Sequence, residues 1–195
     1  MVVLVRYGAI PEVARFTAAD AAASAADGAA AGAAAGTGPD AREAGEAGCR
    51  RGDRVVVETH RGLLMGEVLQ TVAPPVEPPA PNTPPPAPSG RIVRAATADD
   101  RIDEHAGRAA AAASFADWTD RIARWGIEVE LLDVEHSLDR VKTTLYVLCG
   151  RDAETTKLAL QAAAAGLGVI DVQPVTADGV VPPQPSGGGC GSCGH

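Results

Sequence analysis

The chain has 195 residues, 46% of them hydrophobic but only 3% aromatic, and it carries a formal net charge of -8. That acidic balance argues against a large phosphate-binding surface, because nucleic-acid affinity comes mainly from Lys and Arg displacing counterions. No apolar run approaches the roughly 20 residues needed to cross a bilayer. The opening MVVLVRYGAIPEVARF lacks the basic start and long apolar run of a signal peptide, so a cytoplasmic location is expected.

Val2 to Arg6 reads as a strand, with a turn at Gly8 to Pro11 and a second short strand at Val13 to Phe16. Residues 17–48 are mostly Ala and Gly. Repeated Gly costs about 1 kcal/mol per helical position, and without large side chains the segment cannot offset its ordering entropy. It reads as a flexible insert that holds Cys49 at its end. Val55 to Val57 are β-branched and suit a pleated strand. The turn His60-Arg61-Gly62 follows, and Leu63 to Leu69 returns as the partner. Gly66, inside that partner strand, suggests a bulge or sharp bend. Joined to the N-terminal strands, a bent hairpin makes a small SH3-like β-barrel, so residues 1–72 read as one barrel unit.

Residues 73–90 are rich in proline and read as a semi-extended linker, or alternatively as a docking peptide for an aromatic-lined groove. Beyond it, Arg91 to Ala96 reads as a strand. Thr97 with Asp100 three residues later is an N-cap signal, opening a long helix from Ala98 to Arg124. Ile102, Ala106, Ala109, Ala113, Ala116 and Ile122 are expected on its buried face. Ile127 to Glu135 and Val141 to Cys149 read as a hairpin. A helix at Ala153 to Ala165 and a strand at Val169 to Val175 complete the order. Strand, helix, strand, strand, helix, strand is the split-βαβ pattern of a ferredoxin-like unit, placed at 91–176. Residues 177–195 read as a flexible tail containing Cys190 and Cys193. The fold class expected is therefore α+β: a small SH3-like barrel, then a ferredoxin-like unit, with disordered Ala/Gly and Pro-rich inserts.

Candidate chemistry is sparse. Cys190 and Cys193 form a CxxC followed by His195. Two thiolates at that spacing can face one zinc ion or an iron–sulfur cluster, with a fourth ligand coming from Cys149 or from a partner. The opposing reading is an exposed tail. Cys149 reads as a small buried hydrophobe, and Cys49 as inert. Arg54, His60, Arg61, Arg91 and Arg94, with Glu58, Thr59 and Gly62, are the binding-surface candidates. Together with Arg50 and Arg51 the arginines would form a basic rim for RNA or protein; the opposing reading is a solvated turn, and no aromatic lies nearby in sequence to stack a base. Glu128, Glu130, Asp133 and Glu135 read as a water-facing carboxylate stripe rather than a catalytic pair. No P-loop, dinucleotide fingerprint or HExxH motif occurs. No catalytic residue is assigned.

One stretch carries a resemblance. GDRVVVETHRGLLMGEVL, with Gly52, Asp53, Val55, Val57, Glu58, Thr59, Arg61, Gly62, Gly66 and Val68 in place, resembles the signature hairpin of the polymerase suppressor protein one (PSP-one) C-terminal domain family. RIVRAAT and LLDVEHSLDRVKTTLYV, with Asp133, Glu135 and Asp139, are similar to its following elements, and the opening VRYG fits as well. That family includes the bacterial YaaT (RicT) proteins. The resemblance implies a non-enzymatic cytosolic adaptor or regulatory subunit, able to associate peripherally with membranes, that acts through protein partners in a complex adjusting RNA processing or signalling. Alternatives are an RNA-binding module using the barrel rim and a metal or iron–sulfur carrier using the CxxC. Family members carry basic residues around the second helix and last strand and a longer cysteine cluster; here only Arg151 and Lys157 are basic in that region, and two tail cysteines remain.

Overall fold

The computed structural model describes residues 1–18, 49–72, 87–148 and 153–182. Residues 19–48 of the Ala/Gly insert, most of the Pro-rich segment, Cys149, Cys190, Cys193 and His195 lie outside the described residues, while Thr17 and Ala18, expected in the insert, extend a strand.

Five strands close a barrel in the order β1-β2-β5-β3-β4. They are β1 (Val2–Tyr7), β2 (Glu12–Ala18), β3 (Arg54–Thr59), β4 (Gly62–Val72) and β5 (Gly90–Ala95). Pairing of β1 with β4 shuts the barrel, and β5 joins it antiparallel to β3 and parallel to β2. Alternation at period two sends Val3, Val5, Tyr7, Val55 and Val57 inward with Phe16, Leu64, Val68 and Ile92. The rings of Tyr7 and Phe16 meet edge to face at 5.2 Å.

Two expectations about these strands change. β5 was expected to lead the second unit, yet it fills the gap between β2 and β3 in the barrel; a short aliphatic strand suits either sheet, and closure removes an open edge. Gly66 was expected at a bulge, yet β3 and β4 keep register straight through it. The break lies further along β4, between the pairs Leu4–Gln70 and Val5–Val68. Gly66 is there for close approach: a Cβ at that position would overlap Val5 Cγ1.

The second unit starts with α1 (Ala98–Arg124), opened by a full capping box between Thr97 and Asp100. Then come β6 (Glu130–His136), β7 (Lys142–Leu148), α2 (Ala153–Ala164), β8 (Val169–Thr176) and β9 (Gly179–Val180). The sheet order is β6-β7-β8-β9. β7 and β8 are parallel, as a helical crossover requires, and β9 pairs within the stretch expected to be tail. The core joins Ala111, Trp118 and Ile122 of α1 with Leu131, Val134, Leu145 and Val147 of the sheet and Leu158 and Ala162 of α2.

The expected inner face of α1 is corrected. Its buried residues are Asp100, Gly107, Ala111, Trp118 and Ile122; Ile102 is 65% exposed, and Ala106, Ala109, Ala113 and Ala116 are exposed. Alanines offer too little area to decide which face turns inward, so the large side chains near the C-terminal end decide it. Among the described residues no helix is long and apolar enough to cross a membrane.

Candidate functional site

The turn between β3 and β4 is tight and internally bonded. Thr59 Oγ1 accepts from the Arg61 amide at 3.1 Å and donates to the Gly62 carbonyl at 3.2 Å. Gly62 has φ +103°, in the left-handed region where a Cβ is unfavourable. The turn is not left free as expected: His60 stays exposed, but Arg61 is buried. The turn is docked on the second unit: Lys142 Nζ donates to the His60 carbonyl at 2.7 Å, and the Leu138 amide donates to the Leu63 carbonyl at 2.7 Å.

Arg61 is the tip of that turn, and it is 0% exposed. Its Nη2 donates to Glu12 Oε1 at 2.5 Å. Its Nη1 donates to the Tyr146 hydroxyl through a short bond and lies 4.0 Å from Glu135 Oε2. The guanidinium carbon lies 5.1 Å from the Tyr7 ring centroid and 5.6 Å from that of Tyr146, within the range of cation–π attraction. The Tyr146 hydroxyl passes the chain on, donating to Glu135 Oε2 at 2.6 Å, while the Ala9 amide donates to Glu135 Oε1 at 2.7 Å. One guanidinium thus holds the barrel, through Glu12 and Tyr7, and the sheet, through Tyr146 and Glu135.

The electrostatics follow from burial. Desolvation raises the pKa of Tyr146, with the Glu135 charge adding to it; Tyr7 is raised by burial and then by Glu12. Both phenols remain neutral. Burial raises Glu135 above the ordinary carboxylate range despite its bonds to Tyr146 and its proximity to Arg61. Burial pulls the Arg61 pKa down, but Tyr146, Glu12 and Glu135 outweigh it and raise it overall, so Arg61 stays charged. Arg61 Nε is buried with no hydrogen-bond partner.

The other surface candidates are engaged as well. Arg54 Nη2 donates to both carboxylate oxygens of Glu104 on α1, at 2.9 and 2.7 Å. Arg94 grips the Asp100 carboxylate with both terminal nitrogens, one contact being 2.7 Å. Arg91 Nε meets Glu58, its cross-strand partner, at 2.5 Å. His60 is exposed, 3.5 Å from Gln173 Oε1 and 4.0 Å from Asp171 Oδ2. The expected basic rim is therefore broken up, since Arg54, Arg61, Arg91 and Arg94 each carry a carboxylate partner. The expected water-facing stripe also loses a member: the Glu135 side chain is only 13% exposed. Cys49 is half-buried against the barrel core, and burial pushes its thiol up.

A cavity of about 60 Å³ lies beside the cluster, between the barrel and α1, with Gly8, Met65, Glu104, Gly107, Glu135 and Ser137 on its wall. It has room for a few waters at about 10–15 Å³ each, well below the ~300 Å³ of a typical small-molecule pocket. Among the described residues no group of three or more His, Cys, Asp or Glu side chains is placed to hold a metal ion.

Reading the sequence missed the cluster itself. Its clearest signal was there: the chain has two tyrosines, and both touch Arg61. A buried phenol needs a polar partner, and neither strand supplies one locally. Comparisons with family models, with curated proteins and with solved structures return no match for this chain.

Proposed function

We propose that this chain is a non-catalytic adaptor of the YaaT/RicT type, a member of the PSP-one C-terminal domain family that works in the cytoplasm through protein partners in a complex adjusting RNA processing or signalling. The observation that carries the reading is the use made of the hairpin motif. Its Arg61, with the His60 and Leu63 carbonyls, ties the barrel to the sheet, so that the motif fastens two β-units together and leaves their outer surfaces for partners. In the same reading the barrel is SH3-like. The α1-to-β9 unit is a ferredoxin-like variant whose leading strand, β5, has been given to the barrel.

The RNA-binding alternative draws less support, because four of the six arginines proposed for it, Arg54, Arg61, Arg91 and Arg94, are paired with Glu104, Glu12, Glu58 and Asp100. Filter binding at low salt discriminates the two. The metal-carrier alternative rests on Cys190, Cys193 and His195, outside the described residues; zinc or an iron–sulfur cluster shared with a partner would appear in elemental analysis of anaerobically prepared protein.

Affinity capture from native lysate followed by mass spectrometry tests the adaptor reading. The expected outcome is a defined set of proteins retained by the wild type and released by Arg61→Met, which uncouples the two units. A lone monomer with measurable turnover on any substrate overturns it.

A further inference from the structure

The buried cluster does not balance its charge. Arg61 contributes one positive charge, while Glu12 and Glu135 contribute two carboxylates within 4.0 Å of it. Glu12 has the shorter contact, 2.5 Å against 4.0 Å, and it keeps some solvent, with 24% of its side chain exposed against 13% for Glu135. Glu12 is therefore the resident counter-ion of Arg61. Glu135 is the surplus anion, in a medium where an uncompensated charge is costly.

Every element around Glu135 presents a group that bears on it. β1 presents the neutral Tyr7 and β2 presents Glu12. The hairpin tip presents Arg61, and β7 presents the neutral Tyr146. On its own strand Asp133 adds a further negative charge, and His136, held low by burial and by Arg140, adds no compensating positive one. Across the cavity α1 carries Asp103, Glu104 and Arg108, with Glu104 already paired to Arg54 and Arg108. The Tyr146 hydroxyl and the Ala9 amide donate to its two oxygens and favour the charged form, but burial beside a second carboxylate outweighs them and the cluster favours one proton on Glu135; the adjoining cavity, which Glu135 lines, has room for waters that would carry that proton in and out.

We propose that the junction is a proton-operated latch: with one proton on Glu135 the Arg61–Glu12 pair is charge-balanced and the hairpin tip is locked to the sheet, and loss of that proton loosens the tip. The direction is fixed. The folded chain binds this proton more tightly than the unfolded chain, so the latch is fully closed below the ordinary carboxylate value of about 4.3. Its contribution is lost as pH rises through the higher folded value of Glu135.

The test is carboxyl-carbon NMR of the full-length protein across pH, with amide exchange at Arg61 and Gly62 corrected for intrinsic rates. Glu135 is assigned by its disappearance in Glu135→Gln. The expected result is a Glu135 midpoint above the ordinary value and faster tip exchange on its alkaline side. In Glu12→Gln the midpoint should move down, because Glu135 then becomes the sole counter-ion of Arg61. A Glu135 midpoint near 4.3, a midpoint unmoved by Glu12→Gln, or tip exchange independent of the titration would each overturn the latch. Should Glu135→Gln not fold, Glu135→Asp supplies the assignment by its shifted resonance, and the Glu12→Gln comparison decides the outcome as before.

Discussion

At the residue scale Arg61 dominates. A buried ion pair adds little net stability over an apolar substitute, but removing one partner leaves the other charge stranded, typically at about 3–5 kcal/mol. Arg61→Met should therefore cost on the order of 3–5 kcal/mol in urea unfolding near neutral pH, with a smaller loss when Glu12→Gln is already present. If Arg61→Met were neutral, Arg61 could not be the element that holds the junction. Asp100 is the second residue with a sharp expectation. Its carboxylate accepts from Arg94, from the Thr97 amide and from the Thr97 hydroxyl. The Arg94 bonds chiefly hold it well below the usual carboxylate range, with the Thr97 bonds adding to that. A depressed folded pKa means that stability is present above the unfolded value of about 3.9 and is lost as pH falls below it. Wild type and Asp100→Asn should thus differ most near pH 7 and converge in acid. A gap that stays constant from pH 7 to pH 2 would remove the ionised cap from the account. The Thr97–Asp100 cap is legible locally, whereas the partners of Arg61 are not, because Arg61–Glu12 and Arg61–Glu135 are long-range contacts that no local pattern encodes.

At the element scale much was legible, and for identifiable reasons. The bounds of α1 follow from a Thr97–Asp100 capping box and from Gly126 at φ +60°. The β3–β4 hairpin follows from its valines and the Thr59–Gly62 turn. What failed was any inference resting on alanine. The helix face could not be read from Ala106, Ala109, Ala113 and Ala116, whereas Trp118, at 7% exposure, is anchored in the core. Trp118→Ala should cost about 3–5 kcal/mol, and Ile102→Ala, on the opposite side, under about 0.5 kcal/mol. Equal losses in thermal unfolding would mean that the helix is rotated from the described packing. β5 failed for another reason: residues 90–95 offer only the short apolar pair Ile92-Val93, which suits either sheet, and only the gap between β2 and β3 decides its place.

At the scale of the whole molecule the chain was expected to be two units joined by a linker, with a turn left free. The barrel and the sheet are there, but the turn is the fastening between them. Ties that cross the boundary include the Arg61 cluster, Arg54 to Glu104, Arg94 to Asp100, Lys142 to the His60 carbonyl, and the Leu138 amide to the Leu63 carbonyl. Val56 and Met65, paired across β3 and β4 and outside the barrel core cluster, are also nearly fully buried, and Met65 lines the cavity shared with α1. Their burial adds apolar area to the junction at about 25 cal/mol per Å².

The most direct measurement follows from the placement of the probes. Both tryptophans, Trp118 and Trp125, belong to the second unit or its core, and the Val3 and Val5 methyls belong to the barrel. Urea unfolding followed by tryptophan fluorescence and by those methyl resonances reports the two units separately. A single coincident transition in the wild type that splits into two in Arg61→Met is the predicted result. Two separate transitions in the wild type, or one coincident transition at an unchanged midpoint in the variant, would contradict a barrel and sheet whose fastening depends on the buried Arg61 guanidinium.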